Sequence, residues 1–557
     1  MRGWLLPIVI LSVVLGLWLR FGLWNESLWV DELHTSWCTL GDWSQLSQRA
    51  EVGNQSPFYF AGQKLLGALL NDWGQGLRWS SLCASGCLIA VLIFLSDRWT
   101  KSPLAVAVAA AWVVADADAV FYSIEARPYA ILMLVSTSHV VLGFERLRLL
   151  LNPEAEPCGH RWRIFALRGS WVLTAALMVH LHYTALLVLC VEGIVMVLVW
   201  GGCLWRHRHE TTVASKPQQR GWLPGWASLL VEVGVAVLLV APLTTGLLDV
   251  GGRRRAWGEF VNGSWDQAWP LLRLGIGVVV LPGLGLLVAW LWRWLVHCCR
   301  GTDSSSICPP RAVFVEPSRC LWLMSIGIGT IVLAAGLTYS ELAPVLLVRY
   351  LVAALPIGAL CGGLIVGSIS GPWGRLGTTI VCLCFLASTD RVVQHWWRTG
   401  TWPPARIEGW DECAATINEN RSNDWPVILY PGLIEERQLS VDPSEGLMEY
   451  LRFPLQSAYP IEGDPRRLIP ASSSVMPIVP VESMTQLQQS GGLWVVVRDR
   501  PDQPVVLWRV LEALNQELSK SDSRFTVDRF QYGAVHLLKV RRLGAATSAE
   551  SLAPGAS

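Results

Sequence analysis

Two short stretches hold side chains whose types and spacing suit chemistry: Ser27-Leu-Trp-Val-Asp-Glu-Leu-His-Thr35 and Tyr122-Ser-Ile-Glu-Ala-Arg-Pro-Tyr129. Each sets charged residues just beyond a long apolar run, where such groups are costly unless they are paired or put to use. Asp31 and Glu32 form a carboxylate pair able to take a proton from an attacking hydroxyl or amine. Adjacent acids diverge on an extended chain and sit about 100° apart on a helix, so the two need not share a task. Glu125 and Arg127 add a second acid and a planar guanidinium. Arg127 either clamps a phosphate or orients Glu125. The plainer alternative is a structural pair tying two helix ends, and the two readings are compatible. Pro128 disfavours helix at Arg127 and suits the opening of a following helix.

Other residues accompany them. His180-x-His182-Tyr183 ends an apolar run; two histidines at i, i+2 lie on opposite helix faces, so hydrogen bonding by His182 or Tyr183 is favoured over metal ligation. Arg349-Tyr350 opens another run, where the arginine needs an anionic partner: a lipid-linked phosphate, or an acid such as Glu341. Asp116 and Asp118 lie near one helix end, with Asp118 a candidate for the same cavity. Glu192 and Glu232 fall inside apolar runs and read as helix-packing hydrogen bonders. Arg253-Arg254-Arg255 is either a solvated basic loop or an attractor for anionic lipid. No phosphate-cradling glycine loop, Cys/His metal cluster or serine nucleophile elbow occurs.

The elements that must position these residues are membrane helices. Of 557 residues, 52% are hydrophobic and 16% charged. About eleven apolar runs are long enough to cross a bilayer: 4–22, 79–96, 104–121, 129–147, 170–183, 185–204, 224–248, 270–295, 320–338, 346–368 and 376–389. The first reads as an uncleaved helix. Basic residues cluster in alternate loops (Arg98, Lys101; Arg146 to Arg168; Arg206 to Arg220; Arg293 to Arg319; Arg375), which predicts a cytoplasmic N-terminus and an outer C-terminus. Several of the 31 Trp sit at helix ends, among them Trp24, Trp29, Trp222 and Trp269, as in an interfacial aromatic belt. The 14 cysteines show no metal-like spacing and read as buried thiols. A net charge of +1 without a basic domain argues against nucleic acid.

The first outer loop, 23–78, is expected to carry surface helices around 43–50 and 58–70. After the linker Thr401-Trp-Pro-Pro, a small α/β domain is expected: helix 408–418, strand 427–430, strand 493–497, helix 507–518 and a final strand 534–540. An Ala/Ser-rich tail follows Leu543.

Taken in order, Leu28-Trp-Val-Asp-Glu-Leu-His-Thr35, Ser56-Pro-Phe-Tyr59, Tyr122 to Tyr129, His182-Tyr-Thr-Ala185 and Arg349-Tyr-Leu-Val-Ala-Ala-Leu-Pro356 resemble the bacterial GT-C membrane glycosyltransferases, the group related to protein O-mannosyltransferases and aminoarabinose transferases. The resemblance covers the membrane part. It implies a polyprenyl-phosphate-linked sugar donor, reaction at the outer membrane face and inversion at the anomeric carbon. It implies Asp31 as the catalytic carboxylate, with Glu32 and Glu125 as further acidic site residues. Arg127, Arg349, Tyr129 and Tyr350 would hold the donor phosphate, and His34, Tyr59, Asp118, His182 and Tyr183 would line the cavity. Some members use a divalent cation, so metal dependence stays open. The chain departs from the common pattern at His34, at Gln55-Ser56-Pro57 and at Ile124, which touches acceptor identity and site lining.

The expectation is a polytopic α-helical membrane protein of GT-C type with a small C-terminal α/β extracytoplasmic domain, divided as 1–397, 398–543 and a tail 544–557. It would transfer a hexose or pentose to a lipid, glycan or protein acceptor among membrane lipids. The competing class is a transporter or flippase of a lipid-linked saccharide, which would favour pseudo-symmetric halves that this sequence lacks.

Overall fold

The computed structural model describes residues 3–22, 24–52, 55–151, 161–210, 222–246, scattered positions between 248 and 291, 317–369, 371–400, 408–420, 425–440, 444–473, 479–499, 504–521 and 523–543. Arg253-Arg254-Arg255, Cys298-Cys299, the linker at 401–404, the tail and part of the expected span 270–295 lie outside those residues. Helices run α1 Leu5–Phe21, α2 Val30–Leu40, α3 Leu46–Val52, α4 Pro57–Leu70, α5 Trp79–Thr100, α6 Pro103–Ala115, α7 Ala117–Ile124, α8 Tyr129–Leu151, α9 Arg161–Leu181 and α10 Leu186–Glu210. They continue as α11 Trp222–Val240, α12 Pro317–Tyr339, α13 Val348–Leu351, α14 Leu355–Ser368, α15 Pro372–Thr389, α16 Arg391–Thr399, α17 Trp410–Glu419, α18 Glu445–Phe453, α19 Val481–Ser490 and α20 Val505–Ser519.

Among the described residues, seven helices are long and apolar enough to cross a membrane, or nine if each of two bent pairs is one span. The other two of the eleven expected runs are α1, 17 residues long, and 270–295. Two expectations change in form. The third run, expected as one helix, bends by 56° between α6 and α7, and the last, α15, continues beyond its expected end into α16 after a 72° bend.

Two compact units emerge: Met1–Trp24, Gly53–Gln63 and Arg78–Pro403 in the first; Asn25–Val52, Lys64–Leu77 and Pro404–Ser557 in the second. The first outer loop was expected with the membrane part, yet most of it packs with the C-terminal residues. The reason is a set of specific bonds. Arg49 pairs with Glu449 at 2.9 Å, the Leu28 amide donates to the Tyr459 hydroxyl at 2.7 Å, and Ser27 donates to Asp411. Trp37 stacks near Tyr450 with ring centroids 4.7 Å apart.

In the first unit the segment Val348–Ser368 is central, with 89% of its most apolar stretch buried, whereas 17% is buried in Trp226–Gly246. Small residues let α14 in: a Cβ at Gly363 would lie 2.9 Å from the Ala105 carbonyl oxygen, so α14 and α6 meet backbone to backbone. The acids inside the apolar runs are paired, as expected of packing groups. Glu192 bonds His139 Nε2 at 2.6 Å and the Trp171 indole at 3.1 Å, joining α8, α9 and α10. Glu232 on α11 takes Arg146 through two bonds, at 2.8 and 3.0 Å, and also Arg168.

The second unit holds a five-stranded sheet in the order β2-β1-β3-β5-β4, with β1 Val427–Tyr430, β2 Leu468–Pro470, β3 Gly492–Arg498, β4 Phe525–Tyr532 and β5 Val535–Arg542. β1 runs parallel to β2 and β3; β5 is antiparallel to β3 and β4. Ile428, Leu493, Val495, Val497, Leu538 and Val540 pack against Leu507, Val510, Leu514 and Leu518 of α20. The expected strands and the helices at α17 and α20 are present within a few residues; β2, β4, α18 and α19 were not anticipated.

His536 in the middle of β5 is fully buried, faces Val497 and Gln531 across the ladder, and has no hydrogen-bond partner at either ring nitrogen among the described residues. Burial, and then nearby Arg529, hold its pKa below the usual value of 6.5, against the opposing pull of Asp499. Above that value the ring is neutral in both folded and unfolded chains; below it, the unfolded chain takes up a proton that the folded site resists, so stability falls with pH. Hydrogen-exchange protection of β3–β5 should therefore weaken on acidification below about pH 6.5, and His536→Leu should remove that sensitivity.

Candidate active site

The site residues of the first unit hang from the break between α6 and α7. Ser102 and Pro103 start α6, close in sequence to Arg98 and Lys101, and α6 runs 13 residues to Ala115. There Ala115-Asp116-Ala117 stops it, freeing the carbonyls of its last turn and the amides of the next first turn. In an apolar surrounding each such group needs a partner. Arg20, fully buried near the end of α1, supplies the donors: Nη2 to the Val113 carbonyl at 2.9 Å and Nη1 to the Val114 carbonyl at 3.2 Å, as well as Gly16 at 2.8 Å. Asp116 accepts from the amides of Asp118 and Ala119 at 3.1 and 3.0 Å, an N-cap for α7. Asp390 accepts from the Ala117 amide at 2.7 Å. Arg273 closes the set, bonded to Asp116 and, at 2.9 Å, to Asp390, with Asp118 at 3.9 Å.

Fixed in this way, α7 ends at Ile124 and delivers Glu125. The Ser81 hydroxyl of α5 donates to the backbone carbonyls of Glu125 and Arg127, the latter at 3.3 Å, which holds the turn. Glu125 is wholly buried and Arg127 nearly so. Pro128 opens α8 as its spacing suggested, its carbonyl accepting from the Leu132 amide at 2.8 Å.

From that turn a run of rings crosses the unit. Tyr122 meets Tyr129 edge-on at 5.2 Å, Tyr129 meets His182 at 5.5 Å, and His182 meets Tyr350 at 5.7 Å. The Arg349 guanidinium lies 5.1 Å over the Tyr350 ring and donates to its hydroxyl at 3.4 Å. His182 Nδ1 accepts from the Thr184 amide at 3.3 Å, which leaves the ring proton of neutral His182 on Nε2. Tyr122 is within electrostatic range of Glu125, Tyr129, Asp118 and Arg349. Four stretches far apart in sequence thus converge: Tyr122 to Tyr129, Ser81, His182 and Arg349-Tyr350.

The second unit carries the other carboxylates. Asp31 and Glu32 lie in the first turn of α2, so the first motif is helical. Glu32 is fully buried and its Oε2 accepts from the Trp29 amide at 3.3 Å, the reach-back bond of a helix start. Asp31 is half-buried at the same N-terminus. His34 is buried, with Nε2 3.1 Å from the Arg49 carbonyl oxygen and its ring against Tyr450 at 5.4 Å.

Among the remaining expected residues, Tyr59 is buried edge-on to Phe60 at 5.5 Å in the first unit. Tyr183 starts a short turn after His182, its hydroxyl beside Gly246. Asp118 belongs with Arg273. Sequence reasoning passed over Arg20, Ser81, Arg273 and Asp390, and took no site role from Tyr122. Arg20 carried one signal, a lone basic residue at the end of the first apolar run that faces away from the basic loops. No group of three or more His, Cys, Asp or Glu among the described residues is arranged to hold a metal ion.

No protein-family model matches the chain, and no curated protein matches it. The chain is similar to a crystal structure of ArnT from Cupriavidus metallidurans bound to undecaprenyl phosphate, at 12% identity over 97% of this chain and 98% of that one, with a TM-score of 0.41. The apo state of the same protein gives 14% identity over 96% and 98%, with a TM-score of 0.39. Scores of that size assign no role to any residue here.

Arg20→Met leaves the Val113 and Val114 carbonyls without their donor. At ~1–3 kcal/mol for each buried orphan it should lower stability by about 2–6 kcal/mol, read as an earlier thermal transition of the purified protein in detergent. Arg20→Lys, with fewer donors, should fall between the two.

Proposed function

We propose that the chain is an integral-membrane glycosyltransferase that moves a sugar from a polyprenyl-phosphate donor to a hydroxyl or amine acceptor. The observation that supports this most is the convergence of Glu125, Arg127, Tyr129, His182, Arg349 and Tyr350 at one end of the helical unit. A buried guanidinium, Arg127, and a half-buried one, Arg349, at the ends of membrane helices suit a phosphate that arrives on a lipid.

In the proposed mechanism Asp31 takes the acceptor proton while the acceptor oxygen or nitrogen attacks the anomeric carbon. The bond from that carbon to the phosphate oxygen breaks, and polyprenyl phosphate leaves with the electron pair. Direct displacement inverts the anomeric centre. Arg127 and Arg349 meet the charge that develops on the leaving phosphate, aided by the hydroxyls of Tyr129 and Tyr350; one such fixed donor lowers a barrier by roughly 3 kcal/mol. Arg127 can at the same time orient Glu125, the further acidic residue of the site. Glu32 shapes the start of α2 and needs no chemical step. The reaction is assigned to the outer face, with the N-terminus inside and the C-terminus outside, on the asymmetry of the basic loops.

The test is sugar transfer in proteoliposomes supplied with labelled polyprenyl-phosphate sugars and candidate lipid, glycan and protein acceptors. Asp31→Asn should abolish transfer at normal protein level, because the substitution is nearly isosteric and removes the base; retention of most activity would reject Asp31. Arg349→Lys should raise KM for the donor more than for the acceptor, since lysine lacks the planar fork; if donor dependence is unchanged in a stable protein, Arg349 does not hold the phosphate. Reporter fusions after Trp397 should behave as exported.

A further inference from the structure

Helix α16, Arg391-Val-Val-Gln-His-Trp-Trp-Arg-Thr399, is not used by the transfer reading. It follows a membrane span directly, yet leaves it at 72°, so it lies close to perpendicular to the span. A helix that turns so far at the end of a span runs near the plane of the membrane. None of its residues is buried, and Trp397 is 82% exposed. At 100° per residue, Val392, Val393, Trp396 and Trp397 fall on one side, and Arg391, Gln394, His395 and Arg398 on the other.

The bend is built. Asp390 caps α16 through the amides of Val392 and Val393, at 2.9 and 3.1 Å, while its other oxygen takes the Ala117 amide and Arg273. Gly400, at φ +71°, ends the helix with its amide on the Trp396 carbonyl. The same bonds set the depth of the bend. Ala117 adjoins the α6 carbonyls held by Arg20, and one residue beyond Arg20 begins an aromatic trio: Phe21 and Trp24 at 5.7 Å, Trp24 and Trp79 at 5.0 Å, Phe21 and Trp79 at 5.8 Å. Phe21 and Trp79 are 43% and 41% exposed. Exposed aromatic clusters at span ends mark the membrane–water boundary, and α16 starts at that level.

We infer that α16 is an in-plane anchor whose valine and tryptophan face enters the acyl boundary and whose exposed Arg398 binds the headgroups of anionic phospholipid. The sequence of groups fits that occupant: an apolar face with a tryptophan pair, and a basic face with no acid on the helix. This surface stands whether or not the chain transfers sugar.

Full-length protein in vesicles of phosphatidylethanolamine and phosphatidylglycerol tests it. A photoreactive benzoyl-phenylalanine replaces Trp397, or Val393 on the same face, and Gln394 on the opposite face. Lipid adducts at 397 and 393 should exceed those at 394 several-fold, and Arg398→Gln should lower the phosphatidylglycerol share of the adducts by up to about fivefold. Equal lipid adducts on both faces, or cross-links at 397 to another protein chain, would overturn the anchor. An unchanged phosphatidylglycerol share in the Arg398→Gln protein would overturn the headgroup contact.

Discussion

A helix that breaks where water is absent exposes amides and carbonyls that nothing in the lipid can satisfy, and the candidate site depends on how this chain meets that demand. Arg20 covers the carbonyls at the end of α6, Asp116 and Asp390 cover the amides at the start of α7, and Arg273 balances the two acids. Remove the break and α6 would continue straight, carrying Tyr122 and Glu125 away from Tyr129 and the Ser81 hydroxyl. The candidate site exists because Arg20, Arg273 and Asp390, from three separate stretches, lend polar groups to a single interruption.

The buried acids divide by what surrounds them. Glu192 and Glu232 are met by histidine, tryptophan or arginine in direct bonds and hold neighbouring helices together. Glu125 is instead wholly buried at the end of α7, its backbone carbonyl held by Ser81, where the series of rings Tyr122, Tyr129, His182 and Tyr350 begins. Structural acids such as Glu192 and Glu232 are saturated from neighbouring helices, with two partners each.

Much of this arrangement is legible in the residues. The apolar runs locate the helices, Pro128 locates the start of α8, and the apolar strings Val427 to Tyr430 and Leu493 to Val497 locate the two buried strands. Ser27 to Thr35 and Tyr122 to Tyr129 stand out by their charges. What could not be read is whatever depends on a distant partner. Arg20 bonds carbonyls more than ninety positions away, at separations of 93 and 94 residues, and Asp390 reaches across 273 to cap Ala117. Nothing local marks the bend at Asp116, since Ala-Asp-Ala-Asp suits a continuous helix end as well as a break. The grouping of the first loop with the C-terminal sheet rests on Arg49 and Glu449, which no spacing rule connects. β4 is a different case: half-buried Thr526, Asp528, Phe530 and Tyr532 alternate with exposed Val527, Arg529 and Gln531, and an exposed valine opposite a half-buried aspartate blurs that period in the sequence.

The second unit is assembled from both ends of the chain, and this sets a clock on its maturation. The helix with Asp31 and Glu32 is among the first parts synthesised, but the Tyr459 hydroxyl that fixes the amide of Leu28 comes 431 residues later. At ~5–20 residues per second a ribosome needs roughly 20–90 s to cover that interval. Throughout it, the carboxylate helix emerges without the strands and helices that complete its unit. A chain that stalls or is cut before the sheet closes therefore keeps its first helices and lacks a finished second unit, so completeness of synthesis is built into the folding of that unit.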